Sequence, residues 1–163
     1  MNTIGTVLLF ACLAQAQEYR IVVLYETAKL ELQTGDQVVA TFSVCLPRVR
    51  PKLLPVTGKV ARVKFHPPWY PTKETREYYK KKKGVELPSY LPPGDPLNAM
   101  GSAKVEIDYD TGSNINRLVK IHGTNDPGSI GQRISRGCIR LHNEDISRLA
   151  ELIRGHPTLV EFR

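Results

Sequence analysis

Residues 121–143 carry the pattern that decides the fold and chemistry predicted for this chain, and they have the sequence IHGTNDPGSIGQRISRGCIRLHN. An apolar strand is predicted to end at His122, a glycine-rich loop runs from there to Cys138, and a helix is predicted to follow. The segment therefore places a histidine on a rigid strand end and a cysteine in a tight turn beside a glycine.

This pattern suits nucleophilic catalysis by cysteine, with Cys138 as the nucleophile and His122 as its base. A free thiol with a pKa of about 8.5 is mostly protonated at neutral pH, so a nearby imidazole has to take its proton. Gly137 leaves room for a substrate, and backbone N–H groups of the turn are expected to form an oxyanion hole. Arg136 and Arg140 should favour the thiolate, so we expect iodoacetamide to label Cys138 faster at neutral pH than it labels a free thiol.

Two other interpretations of these residues stay open at this point. The first is a zinc site formed by His122, Cys138 and His142, although three ligands flanked by arginines make a poor cation site. The second is a disulfide between Cys45 and Cys138, which would silence the nucleophile. The pattern around Cys45 has no adjacent base, and we interpret that residue as packed in the core.

The remaining sequence predicts a mainly-β domain of two packed sheets with one or two short helices. One segment, Asn143–Ile153, has helical periodicity, with Asn143 as the N-cap and Gly155 as the stop. Residues 65–100 lack clear periodicity but contain aromatic residues and the run Lys80–Lys83, so we predict a folded cap loop over the site. The predicted strands are Tyr19–Tyr25, Lys29–Thr34, Val38–Val44, Lys59–Phe65, Ala103–Tyr109, Arg117–Ile121 and Thr158–Phe162.

Residues 1–16 are predicted to be a signal peptide. Ile4–Ala14 form an apolar run that is too short to cross a bilayer, and residues 14–16 have the small-x-small pattern of a cleavage site. A buried N-terminal strand or helix, and lipid attachment through Cys12, are the alternatives. The mature domain would be residues 17–163, exported to the periplasm or cell wall, with no transmembrane segment.

The chain of 163 residues has a formal charge of +7, from 23 Lys and Arg against 16 Asp and Glu. A basic exported protein suits an anionic partner such as peptidoglycan, teichoic acid or a membrane surface. Nucleic acid is excluded as a partner because the predicted export signal directs the chain to another compartment.

The whole segment resembles the catalytic motif of the L,D-transpeptidase family, the YkuD-domain enzymes, in its ErfK/YbiS/YcfS/YnhG-like branch. The likeness also covers the opening β-meander and four cap segments, Trp69–Thr72, Leu87–Pro88, Pro92–Gly94 and Pro96–Gly101. Many members have histidine where Arg136 stands. The motif matches are His122-Gly123-Thr124, Ser129-Ile130-Gly131 and Ser135-Arg136-Gly137-Cys138-Ile139-Arg140.

The resemblance implies a YkuD-like β-sandwich of two mixed sheets and a cysteine acyltransferase that acts in cell-wall biogenesis and cell shape. Cys138 would form a thioester with the third-position diamino acid of a peptidoglycan tetrapeptide stem, release D-alanine, and pass the acyl group to an amine. That amine would belong to another stem or to a wall-anchored lipoprotein. A hydrolase using water, and a non-enzymatic wall-binding module, are the alternatives.

The resemblance also assigns roles within the site. It implies that no metal or cofactor is needed and that carbapenem-type compounds inhibit the enzyme. The oxyanion and pocket residues would be Gly137, Ser135 and Gly123, and the substrate-binding residues Arg140, Arg136, Trp69 and Tyr70.

Overall fold

The computed structural model describes residues 17–49, 56–110 and 119–163. The predicted signal peptide lies outside these residues, as do the turn predicted at 111–114 and the first two residues of the strand predicted at Arg117–Ile121.

Ten strands and two α-helices make up the described fold, together with a 3-10 turn at Pro127–Ser129. Eight strands form one mixed sheet in the order β3-β2-β1-β10-β5-β6-β7-β9, and β4 pairs with β8. Neighbours in the large sheet are antiparallel except the pairs β1–β10 and β7–β9. The strands are β1 Tyr19–Leu24, β2 Lys29–Thr34, β3 Gln37–Ser43, β4 Leu46–Pro47, β5 Val56–Phe65, β6 Ala103–Tyr109, β7 Ile121–His122, β8 Arg133–Ser135, β9 Ile139–Arg140 and β10 Thr158–Phe162.

The large sheet curls until its two edges meet. Cys45, which follows edge strand β3, forms an antiparallel bridge with Arg140 on edge strand β9. The backbone N–H of each residue donates to the carbonyl of the other, at 2.9 and 3.0 Å. This bridge satisfies edge groups that would otherwise be left unpaired, and it fixes the position of the short strand next to Cys138.

One hydrophobic core fills the space enclosed by the curled sheet. Alternate residues of β6 point into it, as the strand period of two requires, and helix α2 (Asn143–Ile153) adds Ile146, Leu149, Ala150 and Ile153. The prediction of a mainly-β domain with one or two short helices is confirmed, and the bounds of α2 agree with its predicted range. The N-cap prediction was wrong: His142 is the N-cap, and the side chain of Asn143 is used elsewhere.

The cap, residues 65–100, contains a helix that the sequence did not predict. Helix α1 (Lys73–Lys83) buries no residue, so it has no apolar face that periodicity could detect. The sequence signals for this helix are the capping residues at its two ends. Thr72 is the N-cap and accepts a hydrogen bond from the Thr75 N–H, and Gly84 ends the helix at a φ of +65°.

Candidate functional site

Strand register brings His122 and Cys138 to the same face of the sheet. In the parallel pair β7–β9, His122 lies opposite Arg140, and the Ile139 N–H donates to the Lys120 carbonyl at 2.8 Å. Cys138 therefore lies beside Lys120, two residues before the His122–Arg140 pair on each strand. Since side chains alternate between the faces of a strand, Lys120, His122, Cys138 and Arg140 share one face, with Cys138 and His122 on a diagonal.

The tautomer of His122 is determined by its surroundings. The ring is 2% exposed, and Nδ1 lies 2.7 Å from the Gly123 carbonyl oxygen, which can only accept. The neutral ring therefore carries its proton on Nδ1. Among the described residues, Nε2 is buried and has no hydrogen-bond partner. Nε2 thus presents an unused lone pair on the face that carries Cys138, as a general base requires.

Burial is the main reason why the pKa of His122 falls from 6.5 to about 4. The hydrogen bond to Gly123 opposes this shift, and the nearby charges of Arg140, Lys104 and Lys120 add to it. The imidazole is neutral at physiological pH and is able to accept a proton.

This shift predicts a pH-dependent loss of stability. The unfolded chain binds a proton at His122 near pH 6.5, and the folded chain binds it only near pH 4. The stability that comes from keeping His122 neutral is therefore complete above pH 6.5 and is lost as the pH falls toward 4. Between pH 7 and 4.5, the free energy of unfolding should fall by about 2–3 kcal/mol more in the wild type than in His122→Gln. Urea denaturation at the two pH values measures it. The exposed His142→Gln variant should follow the wild type, and equal losses in wild type and His122→Gln would contradict the expectation.

A hydrogen-bonded turn positions Cys138. The buried Ser135 hydroxyl donates to the Cys138 carbonyl and accepts the Gly137 N–H at 3.3 Å. Gly137 has a φ of +146°, which favours glycine. The Gly137 N–H, a predicted oxyanion donor, is thus directed at Ser135, and these two residues shape the turn that carries the nucleophile.

Burial raises the pKa of the Cys138 thiol above its ordinary value. A backbone hydrogen bond from Lys120 and the charges of Arg140, Lys120 and Lys104 act in the opposite direction but do not outweigh burial. The expected effect of Arg140 has the right sign, but burial outweighs it, so the expectation of a preformed thiolate was wrong for the resting site; the rate of iodoacetamide labelling stays a prediction. Proton transfer to His122 therefore has to accompany attack.

Both Cys45 and Cys138 are thiols in this structure, Cys45 being fully buried as predicted. No cluster of three His, Cys, Asp or Glu side chains suited to a metal occurs in residues 17–49, 56–110 and 119–163. His142 is exposed and caps α2, away from the zinc-site role considered from sequence.

Two lysines near the site were missed by sequence reasoning. Lys104 on β6 pairs in register with His122, and its ammonium bonds to Glu106 at 2.7 Å. Lys120 precedes β7 and lies beside Cys138. Neither belongs to a motif, and only the pairing of β6, β7 and β9 brings them to the site. The alternation of polar and apolar residues along 118–122 and 102–106 was the one sequence signal that could have placed these lysines on the face of His122.

Arg136 joins the nucleophile turn to the cap helix. Its Nη2 donates to Thr75 Oγ1 at 2.8 Å, and its guanidinium carbon lies 4.7 Å from the centroid of the Tyr78 ring. Arg136, a predicted substrate-binding residue two positions before Cys138, thus packs against α1. Since α1 buries none of its own side chains, these two contacts tie it to the nucleophile turn.

Replacing Arg136 with alanine should loosen α1. The lost hydrogen bond and cation–π contact are together worth about 1–2 kcal/mol, or about 5- to 30-fold in a local opening equilibrium. Hydrogen exchange of the amides of residues 76–83 should accelerate by about that factor. The exposed arginine variant Arg148→Ala on α2 is the control, and unchanged exchange in Arg136→Ala would show that α1 is held by other contacts.

The aromatic cap residues Trp69 and Tyr70 have different surroundings. Trp69 pairs its backbone with Leu91 and packs its ring edge-on against Tyr79 at 6.0 Å. Tyr70 is 67% exposed and lies 5.2 Å from Tyr90 between ring centroids. Both rings contact other cap residues, and their role toward substrate stays a prediction.

Gly123 lies in a tightly packed junction behind His122. The Asn143 Oδ1 accepts the N–H groups of Thr124 and Ser102 at 3.0 and 3.2 Å, which ties the start of α2 to the His122 loop and the end of the cap. A Cβ on Gly123 would meet this Oδ1 at 2.3 Å and the Gly101 Cα at 3.0 Å. Gly123 therefore serves the site by holding the carbonyl that orients His122.

Fold and site together define a mainly-β protein whose cysteine–histidine pair is suited to covalent catalysis. A family model of the L,D-transpeptidase catalytic domain, YkuD, matches residues 18–161. The chain belongs to this family. In the described residues there is no helix long and apolar enough to span a membrane.

Curated relatives match over part of their length. The protein named "Probable L,D-transpeptidase ErfK/SrfK" of Escherichia coli is 44% identical over 90 residues, which are 55% of this chain and 26% of that protein. "Probable L,D-transpeptidase YbiS" of the same organism is 42% identical over 97 residues, 60% of this chain and 28% of that protein. The matched regions thus span about a quarter of these relatives.

Solved structures share the fold at low sequence identity. An L,D-transpeptidase from Mycobacterium smegmatis superposes with a TM-score of 0.57 at 14% identity, covering 90% of this chain and 59% of that one. L,D-transpeptidase 3 from Mycobacterium tuberculosis, solved with a faropenem-derived adduct, gives 0.52 at 14% identity, covering 87% and 59%. At these identities the likeness supports the fold alone.

Proposed function

We propose that this protein is a peptidoglycan L,D-transpeptidase that uses Cys138 as nucleophile and His122 as general base. The observation that carries the proposal is the free lone pair of His122 Nε2 on the sheet face that presents Cys138. Family membership and the names of the relatives support the reaction class.

In the first half-reaction, the Cys138 sulfur attacks the carbonyl of the third-position diamino acid in a tetrapeptide stem. His122 Nε2 takes the thiol proton as the S–C bond forms. The tetrahedral intermediate collapses by breaking the C–N bond, and the imidazolium returns the proton to the departing D-alanine amine. A thioester remains on Cys138.

In the second half-reaction, a neutral amine attacks the thioester carbonyl and transfers a proton to His122. The thiolate leaves and is reprotonated by the imidazolium, so that the site returns to its resting state. With the side-chain amine of another stem the product is a 3-3 cross-link, and with a lysine of a wall-anchored lipoprotein it is a protein attached to the wall.

The remaining site residues bind and orient. Arg140 would bind a substrate carboxylate, since its Nε is buried and has no partner among the described residues. Ser135 and Gly137 keep the nucleophile turn in shape. The cap with Trp69 and Tyr70 would cover the peptide, and Arg136 would hold that cap in place.

We further propose an exported location in the periplasm or cell wall and inhibition by carbapenem-type compounds. The predicted signal peptide and the net charge of +7 support export to an anionic wall. Solved relatives described in complex with imipenem or a faropenem-derived adduct support the inhibitor class.

The test is a product analysis by mass spectrometry. The purified protein and its Cys138→Ala variant would each be incubated with disaccharide-tetrapeptide. A tetra-tri dimer with free D-alanine, formed only by the wild type, is the expected result.

Other products would change the assignment. Tripeptide without dimer would identify a hydrolase that uses water as acceptor. Identical samples from wild type and variant would remove the enzymatic function and favour a wall-binding module.

A further inference from the structure

The site face carries more positive charge than its neighbouring carboxylate neutralises. Glu106 is engaged by Lys104 at 2.7 Å, Lys64 at 3.1 Å and Arg62 at 3.9 Å, and its pKa is lowered to about 2. Its charge is thus fully shared among three cations on β5 and β6. Lys120 and Arg140 form no ion pair with any carboxylate of the described residues.

Strand register sets both of these cations next to the nucleophile, one across the strand pair and one along the strand. Lys120 lies beside Cys138 across the β7–β9 pair, about 5 Å away at Cβ, and Arg140 follows two residues later on the strand of Cys138, about 7 Å along it. Both charges act on Cys138 and on His122. The nucleophile therefore lies next to two cations that have no ion-pair partner among the described residues.

We propose that Lys120 and Arg140 form a carboxylate-selecting cation pair, which makes Cys138 react preferentially with molecules that carry a carboxylate within reach of these two side chains. The proposal thus adds Lys120 to the site as a specificity-determining residue. The Nε of Arg140 is enclosed and unpartnered among the described residues, and a ligand carboxylate is the group that satisfies it.

A neutral ligand would leave both cations partly desolvated and unpaired when it covered the site. A carboxamide offers one acceptor and two donors, and its donors meet only other donors there. A carboxylate of the same shape presents two acceptors and a full negative charge. Selection between the two therefore combines attraction of the carboxylate with rejection of the amide.

For the proposed transpeptidase, on which this step rests, the donor stem would be one whose third-position residue keeps a free side-chain carboxylate. A stem in which that carboxylate is amidated would be a poor donor. Amidation removes the charge and leaves the shape almost unchanged.

Two alkylating reagents that differ only in this group test the inference without a cell-wall substrate. Iodoacetate and iodoacetamide both react with the Cys138 thiolate and lose iodide. Because both need the same thiolate, the ratio of their rates cancels the pKa of the thiol and reports the preference for the carboxylate. Rates would be measured on the full-length protein by mass spectrometry of the peptide that contains Cys138.

The wild-type ratio should exceed that of free cysteine by about tenfold or more, and Lys120→Met should lower it by about 5- to 10-fold. Lys120→Gln, which keeps a polar side chain, should lower it equally. Lys64→Met is the matched control, because Lys64 bonds to the same Glu106 but is not among the charges that act on Cys138. Its ratio should stay at the wild-type value.

A wild-type ratio like that of free cysteine, or equal ratios in wild type and both Lys120 variants, would overturn the inference. A decrease in Lys64→Met as large as in Lys120→Met would also overturn it, by assigning the preference to general surface charge. Comparing the products formed from amidated and free-acid tetrapeptides tests separately whether the same preference applies to the proposed transpeptidase substrate. A selective alkylation ratio without any Cys138-dependent product would refute the transpeptidase and leave the cation pair standing.

Discussion

Replacing His122 with glutamine is expected to lower kcat/KM for D-alanine release by about 10²- to 10⁴-fold, the usual contribution of a general acid–base residue. The resting thiol is protonated and has its pKa raised by burial, so attack depends on a group that accepts its proton. Glutamine can still donate to the Gly123 carbonyl, but it offers no base. Release of D-alanine, followed at substrate concentrations well below KM, gives the measurement.

The exposed histidine variant His142→Gln serves as the matched control and should keep wild-type activity. Circular dichroism at pH 7 should show that His122→Gln is folded. If folded His122→Gln retained more than about a tenth of the activity, the general-base role, for which a loss of at least 10²-fold is expected, would have to pass to another group.

Sequence patterns predicted the elements that bury an apolar face. Helix α2 was predicted with the correct bounds because Ile146, Leu149 and Ile153 repeat with helical period and are buried. Helix α1 was not predicted because it buries nothing and is defined by its caps. The cap as a folded unit could still be expected from its aromatic residues, and Trp69 and Tyr79 do pack together.

The site was predictable where one short segment supplies the residues. His122, Ser135, Gly137 and Cys138 stand within 17 positions of one another, and the structure places all four in or beside one turn and one strand pair. Lys104 and Lys120 could not be predicted, since their proximity to Cys138 depends on which strands pair and in which register. The contact of Arg136 with α1 could not be predicted either, because its partner Thr75 is 61 residues away in the chain.

The electrostatic expectation failed for a general reason. Counting arginines near Cys138 in sequence gives the sign of their effect on the thiol, but burial acts in the opposite direction and is larger here. The same burial keeps His122 neutral. A thiolate is therefore unnecessary at rest, because the neutral His122 is available to take the thiol proton.

The junction behind His122 leads to the second large expected effect. Gly123→Ala should destabilise the protein by about 1–3 kcal/mol through overpacking. The new Cβ would lie 2.3 Å from the Asn143 Oδ1, and the loop has to shift to relieve this contact. Because Gly123 also carries the carbonyl that orients His122, kcat/KM should fall by about 100-fold, the penalty that a misplacement of about 1 Å can impose.

Gly128→Ala is the matched control in the same loop, since its Cβ would meet only the Asp126 Oδ1, at 3.8 Å. It should be neutral or slightly stabilising. The double variant Gly123→Ala/Asn143→Ala removes the atom that clashes, so its loss of stability should be smaller than the sum of the two single losses. If the losses of unfolding free energy in urea were strictly additive, the Asn143 side chain would not be what excludes a side chain at position 123. The close approach of Gly101 and Ser102 alone would then require glycine there.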